Sequence, residues 1–267
     1  MRYFLPLIMI FSLPLVSSPA FGQSINQVLD SLGLEPYTVS FHPAGFVLIA
    51  EYSRDTDESF LILVHQNPSQ TSIDTLQVSG VNQAVYSKYG TYVLYNSVDP
   101  LSSETYTIKR RFYPSGQFGF PVYVSQQLFL DNMGYYSMDG NETLYFYTHQ
   151  EGDPSKSGMF LSHFENGRYQ PPELIIADRD NAVAYSPQIL QKDTLIFAQH
   201  GVVDQTPNGV YYAFKDGDSW SEPVRLADLP FSHIITYYDE KTLAFLLDQH
   251  SRIALFTKKE ILQMINQ

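Results

Sequence analysis

The sequence predicts an all-β chain, a β-propeller of about five four-stranded antiparallel blades with short helices at both ends, and three observations carry that reading. First, the phrase aromatic-x-x-Pro recurs at intervals of 51 residues, as Phe118…Pro121, Tyr169…Pro172 and Trp220…Pro223. A glycine precedes each copy: Gly116, Gly167 and Gly217. A period near fifty residues marks a repeat architecture. Second, a phrase ending in an aromatic recurs in step: Val39-Ser40-Phe41, Ala84-Val85-Tyr86, Gly134-Tyr135-Tyr136, Val183-Ala184-Tyr185 and Ile235-Thr236-Tyr237, at gaps of 45, 50, 49 and 52. Third, the runs between turns are short, rich in β-branched and aromatic residues, and bounded by Gly, Pro, Asp or Asn, which is strand chemistry.

Within each repeat the first strand ends at that aromatic. A polar turn follows: Pro43-Ala44-Gly45, Lys88-Tyr89-Gly90, Met138-Asp139-Gly140, the longer Pro187 to Asp193, and Asp239-Glu240-Lys241. The second strand opens with threonine in Thr91 to Tyr95, Thr143 to Tyr147, Thr194 to Ala198 and Thr242 to Leu246, with Phe46 to Ala50 as a degenerate first copy. The third is Phe60 to Val64, Thr105 to Ile108, Met159 to Phe164, Val210 to Phe214 and Ile253 to Phe256. Asp139-Gly140 and Asn166-Gly167 are turn dipeptides, because glycine takes positive φ without steric cost. Strand, turn, strand, loop, strand, turn, strand in about fifty residues is one propeller blade. Runs such as Leu48-Ile49-Ala50 are apolar on both faces, as a sheet sandwiched between two others requires. The aromatics and prolines of the recurring phrase are expected to pack between blades.

The last repeat shows only three strands, Ile234 to Tyr237, Leu243 to Leu247 and Ile253 to Phe256. Two closures suit it: a fourth strand from the N-terminal segment, or a terminal helix packed on an edge. Ser24 to Gly33 reads as a short helix, with Ser24 as cap, Ile25, Val28 and Leu32 on one face, and Gly33 as stop. Lys258 to Asn266 reads as another. Ahead of these, Met1-Arg2, an apolar stretch from Tyr3 to Val16 and small residues up to Gly22 describe a secretory signal peptide. The expected organisation is therefore 1–22 signal peptide, 23–36 N-terminal segment, 37–257 propeller and 258–267 C-terminal helix.

The formal charge of −12 becomes −13 once Arg2 is removed. That balance argues against nucleic acid and anionic lipid, which need clustered Lys and Arg. The chain has no cysteine, so a secreted form relies on burial and ring closure, not disulfides.

The phrase Tyr136-Ser137-Met138-Asp139-Gly140-Asn141-Glu142-Thr143-Leu144-Tyr145-Phe146 resembles the TolB-like propeller repeat, as do Tyr185-Ser186-Pro187 and Trp220-Ser221-Glu222-Pro223-Val224-Arg225-Leu226. The resemblance spans roughly residues 37 to 257 and is strongest in the third and fourth repeats. It departs at Phe41-His42-Pro43-Ala44-Gly45, at Lys88-Tyr89, and in the fifth repeat, which lacks the aromatic-x-x-Pro ending. It implies a propeller of five or six blades and a non-enzymatic periplasmic or secreted module that binds a protein or cell-envelope component.

In a propeller the loop leading into the first strand and the loop leaving the second open on one face. Four residues before each first-strand aromatic stand Tyr37, Asn82, Asn132, Asn181 and His233. Six residues after each second-strand threonine stand Ser97, His149, His200 and Asp248, with Glu51 in the equivalent place of the first repeat. These ten are expected to ring the channel mouth, and polar groups converging on a concave mouth are the default binding site. The asparagines are also suited to satisfying loop backbone groups.

His149, His200, Asp248 and Glu51 are metal-ligand types, but they lie on different blades and no short ligand-spacing motif joins them, so no metal or cofactor is expected. The alternative function is a carbohydrate-active propeller, which needs paired carboxylates. Only Glu51 and Asp248 fall in the predicted ring, and no Gly-x-Ser-x-Gly elbow occurs.

Overall fold

The computed structural model describes residues 25–30, 36–53, 58–67, 70–78, 80–81, 83–99, 101–130, 133–149, 157–178, 182–191, 193–201, 207–217, 219–247 and 252–266. The expected signal peptide lies outside them. Among the described residues no helix is long and apolar enough to cross a membrane.

Five antiparallel blades follow one another along the chain. Blade 1 is β1 (Thr38–Phe41), β2 (Phe46–Ser53), β3 (Glu58–Asn67) and β4 (Gln70–Gln77). Blade 2 is β5 (Ala84–Tyr86), β6 (Tyr92–Val98), β7 (Thr105–Phe112) and β8 (Phe118–Tyr123). Blade 3 is β9 (Gly134–Met138), β10 (Leu144–Thr148) and β11 (Gly158–Ser162), then a two-stranded ribbon of β12 (Phe164–Glu165) and β13 (Arg168–Tyr169), then β14 (Glu173–Ala177) back on β11. Blade 4 is β15 (Ala182–Gln191), β16 (Thr194–Gly201) and β17 (Gly209–Asp216), which pairs with both β18 (Ser219–Trp220) and β19 (Val224–Leu226). Blade 5 has three strands, β20 (Ser232–Tyr237), β21 (Thr242–Leu247) and β22 (Ile253–Thr257). Residues 25–30 are helical (α1), Val124–Leu128 forms α2, and Lys258–Ile265 forms α3.

Alternation along the strands explains the assembly. In β2, Phe46, Leu48 and Ala50 point into an apolar cluster shared with blade 2, while Val47 and Ile49 point into one shared with blade 5. In β16, Leu195 and Phe197 face blade 3, and Ile196 and Ala198 face blade 5. Five such clusters fill the five junctions, so every central strand is buried on both faces. The recurring aromatics join them: Phe118 packs between blades 1 and 2, Tyr169 between 2 and 3, and Trp220 between 3 and 4. Of the prolines, Pro121 is exposed at the outer edge of blade 2, whereas Pro172 and Pro223 are half-buried.

Side chains lace the innermost strands. Ala84 N donates to Thr38 Oγ1 at 2.9 Å and Tyr86 N to Ser40 Oγ at 2.8 Å, joining blades 1 and 2. Tyr135 N donates to Gln83 Oε1 between blades 2 and 3. Ser186 Oγ donates to His233 O at 3.0 Å and Gln188 Nε2 to Ile235 O at 2.7 Å between blades 4 and 5. Thr236 Oγ1 reaches Val39 O at 3.2 Å, so the ring closes. Ser137 Oγ of blade 3 and Gln188 Oε1 of blade 4 are buried without a hydrogen-bond partner.

Of the two expected closures, the structure shows the terminal helix packed against blade 5. No strand of the N-terminal segment extends blade 5 among the described residues. Helix α1 covers that blade instead: Ile25 and Leu29 are buried with Ile62, Val64, Leu246 and Ile253, and Asn26 Oδ1 accepts from Ile253 N at 3.1 Å. Helix α3 buries Ile261 against blades 4 and 5. It starts with a capping box in which the Thr257 and Glu260 side chains each accept from the other's backbone N–H.

The long turn expected from Pro187 to Asp193 is strand. β15 continues to Gln191, with its register to β16 shifting between Tyr185 and Gln188. Ser186 there has φ +56°, a bulge that accommodates a proline lacking an N–H. Beyond it Leu190 points into the cluster shared with blade 5, which rewards continued pairing.

Candidate functional site

At the front of the ring, first strands begin and second strands end, and the side chains there enclose a cavity of about 560 Å³. Tyr37, just ahead of β1, lines it, with Gln83 and Asn96 from blade 2, Tyr135, Tyr147 and His149 from blade 3, and His233 from blade 5. The cavity is therefore assembled by ring closure.

Its aromatic wall is held from behind. Tyr135 has φ +50°, an uncommon conformation for a non-glycine residue. Its backbone is fixed by Gln83, and its ring lies 4.8 Å from Tyr185 and 6.2 Å from Tyr147, centroid to centroid. Tyr185 and His233 Nδ1 share a hydrogen bond of 2.9 Å. Phe231 stands edge-on to His233 at 4.6 Å, and His200 lies 6.4 Å from both rings.

One carboxylate backs this wall. Tyr147 donates to Asp178 Oδ2 at 3.0 Å, and His149 Nδ1 lies 3.7 Å from the same oxygen. Asp178 Oδ1 is buried and completes no hydrogen bond. Burial pushes the Asp178 pKa above the usual carboxylate range against the Tyr147 hydrogen bond, and burial followed by the Asp178 charge pushes the Tyr147 hydroxyl up.

Of the ring positions read from the repeat, Tyr37, His149 and His233 line the cavity. His200 is exposed beside it, near Phe231. Glu51 is half-buried on β2 and Ser97 lies on β6, and neither lines the cavity. Asn82, Asn132, Asn181 and Asp248 fall outside the described residues. Sequence reasoning missed Tyr135, Tyr147 and Asp178. A signal for the first existed: the position before the repeated aromatic holds Ser40, Val85, Tyr135, Ala184 and Thr236, and only one of these is large and aromatic.

A second cavity of about 620 Å³ opens at the rear, among the turns. Lys88, Tyr89, Asp139, His163, Lys215 and Trp220 are among its lining residues. Lys258 lies near this face, its amino group 4.8 Å from the Tyr237 ring centre. Burial, then the charge of Lys88, pushes its pKa down to about 8.

No protein-family model matches the chain, and no curated protein matches it in sequence. Solved structures do share its fold. TolB from Acinetobacter baumannii superposes with a TM-score of 0.54 at 8% identity, covering 84% of this chain and 52% of that one. This chain thus spans about half the length of that structure. The PQQ-bound aldose sugar dehydrogenase from Streptomyces coelicolor gives 0.45 at 13% identity, covering 82% of this chain and 89% of the other. Prolyl oligopeptidase B from Galerina marginata gives 0.45 at 10%, covering 82% and 30%. The TolB likeness speaks for the propeller fold alone, since one fold hosts unrelated functions.

Proposed function

We propose that this chain is a non-enzymatic binding module, acting in the periplasm or outside the cell after removal of a signal peptide, that engages a protein or cell-envelope component through the front mouth of its propeller. One observation carries the reading: the cavity of about 560 Å³ takes aromatic, imidazole and amide side chains from four of the five blades, Tyr37, Gln83, Tyr147 and His233 among them. Concave sites with a few convergent polar groups on an apolar wall are built for binding. His149 and His233, which line the cavity, and His200 beside it are proposed contacts, with Tyr37, Tyr135 and Tyr147 as anchors, and Asn82, Asn132, Asn181 and Asp248 are proposed with them from their places in the repeat alone. The alternative, a carbohydrate-active propeller, needs two carboxylates facing the ligand; of its candidate pair, Glu51 does not line this cavity and Asp248 lies outside the described residues.

The test is capture from native envelope extract with the purified chain, beside a variant carrying alanine at Asn132, Asn181, His149 and His200 together. A component retained by the first and lost by the second, with unchanged circular dichroism, is the expected result. A component retained equally by both excludes the front mouth.

A further inference from the structure

The front basin holds an amide donor that nothing in the fold uses. Gln83 is only 4% exposed, yet it lines the basin. Asn96 takes up its backbone: Gln83 N donates to Asn96 Oδ1 at 3.0 Å, and Asn96 N donates to Gln83 O at 3.3 Å. Gln83 Oε1 accepts from Tyr135 N, and because that N–H needs an acceptor the orientation of the amide is fixed. What remains is Nε2, whose hydrogens meet no acceptor among the described residues. It is not sealed from solvent, so it opens on the basin. Gly134 lines the basin beside it, where a Cβ would stand 3.7 Å from Gln83 Oε1, and leaves the amide uncovered. An amide N–H held in such a half-desolvated place is best met by a carbonyl oxygen.

The walls around this donor add a second argument. Tyr37, Tyr135 and Tyr147 line the basin, and a tyrosine ring offers a flat face of negative quadrupole to the C–H bonds laid on it. A pyranose carries such C–H faces, with a rim of hydroxyls that both donate and accept. Thr105, Asn96 and His149 have the same double capacity along the wall. The Tyr135 hydroxyl makes no hydrogen bond among the described residues, and burial pushes its pKa up, so it stays a donor. Val98, Met133 and Ile234 supply an apolar stretch suited to a methyl group. The volume of about 560 Å³ is that of a small-ligand site, for which about 300–1,000 Å³ is usual.

From this geometry we infer that the front basin binds an N-acetylated sugar of a glycan chain, its ring laid on a tyrosine face, its acetamido oxygen accepting from Gln83 Nε2 and its acetyl methyl against the apolar stretch. The inference rests on the proposed binding role of this same mouth and names the chemistry of the cell-envelope component it takes. The site binds and orients the sugar, and no bond is made or broken.

The experiment compares tri-N-acetylchitotriose with cellotriose, which has the same linkage and a hydroxyl in place of each acetamido group, binding to the purified chain by calorimetry at pH 8. The acetylated sugar is expected to bind about tenfold more tightly or better, the effect of one added hydrogen bond and a buried methyl. Gln83→Glu keeps an acceptor for Tyr135 N and removes the amide donor, so it should erase that preference. Thr105→Trp, which fills the basin from a partly exposed position, should abolish binding of both sugars, and serves if Gln83→Glu does not fold. Tyr89→Ala, at the exposed rear, should change nothing. Equal affinity for the two sugars overturns the inference, as does a preference that survives Gln83→Glu in a folded protein. Binding that persists in Thr105→Trp and is lost in Tyr89→Ala also overturns it, since the sugar is then at the rear. Binding of neither sugar overturns it as well, and the binding role of the mouth is judged separately, by whether envelope extract still yields a captured protein.

Discussion

Thr236 Oγ1 donates a hydrogen bond to Val39 O at 3.2 Å, tying the innermost strand of the last blade to that of the first across 197 residues of chain. This bond sits where β20 meets β1, beside the apolar cluster that α1 shares with both blades. The two strands belong to separate sheets, and side-chain packing and this hydrogen bond join them.

Thr236→Val keeps the shape and removes the donor. The expected loss is about 1 kcal/mol, the usual net contribution of a buried hydrogen bond. Urea unfolding checks it. Ile25→Ala, removing a fully buried anchor of α1, should cost more, about 2–5 kcal/mol.

Lys109 tests another junction. Its ammonium lies 2.8 Å from Glu142 Oε2, with 5% of the side chain exposed, and rests on rings from blades 2 and 3. Glu142→Ala strands that buried cation and should destabilise by about 3–5 kcal/mol. Lys109→Met, which removes the charge and keeps the stem packing, should cost much less. Chemical denaturation of the two variants decides the order.

Phe197 is fully buried between blades 3 and 4. Phe197→Ala should cost about 3–5 kcal/mol from lost transfer energy and a residual cavity, read as a shift in the denaturation midpoint without a change in slope.

Lys258 gives a pH prediction. Its pKa falls from 10.5 in the unfolded chain to about 8 when folded. Between those values the unfolded state holds the extra proton, so stability rises with pH there, and the penalty is full below about 8. Wild type should therefore gain stability relative to Lys258→Met between pH 8 and 10, measured by thermal melts at each pH. Asp178 has the opposite sign: its raised folded pKa means that its ionised form opposes folding at neutral pH. Asp178→Asn should hold or raise Tm at pH 7, read from thermal melts of the two proteins.

Much of the fold was legible in the sequence because a propeller repeats its packing problem. The five phrases ending at Phe41, Tyr86, Tyr136, Tyr185 and Tyr237 mark five innermost strands, and all five of those rings are buried. What stayed hidden is what does not repeat. Helix α2 is five residues long, so Val124 and Leu128 give a single i, i+4 pair and no period to detect. The ribbon of β12 and β13 has two residues per strand, with Asn166 and Gly167 both at positive φ in its turn. Ring closure joins residues far apart in sequence, and no local pattern encodes Asn26 capping Ile253. At the mouth, counting along the repeat found Tyr37, His149 and His233, whose places follow the strand ends. It missed Tyr147 and Asp178, whose pairing across 31 residues depends on how the outer strand of blade 3 leads on to blade 4.

The central claim is that partners bind at the front mouth, and amide hydrogen exchange of the chain with and without its captured partner tests it most directly. The account predicts slowed exchange at the front strand ends, in Gln83, Tyr135, His149 and His233, with the rear turns at Lys88–Gly90 and Asp139–Asn141 unchanged. Protection confined to those rear turns would contradict it.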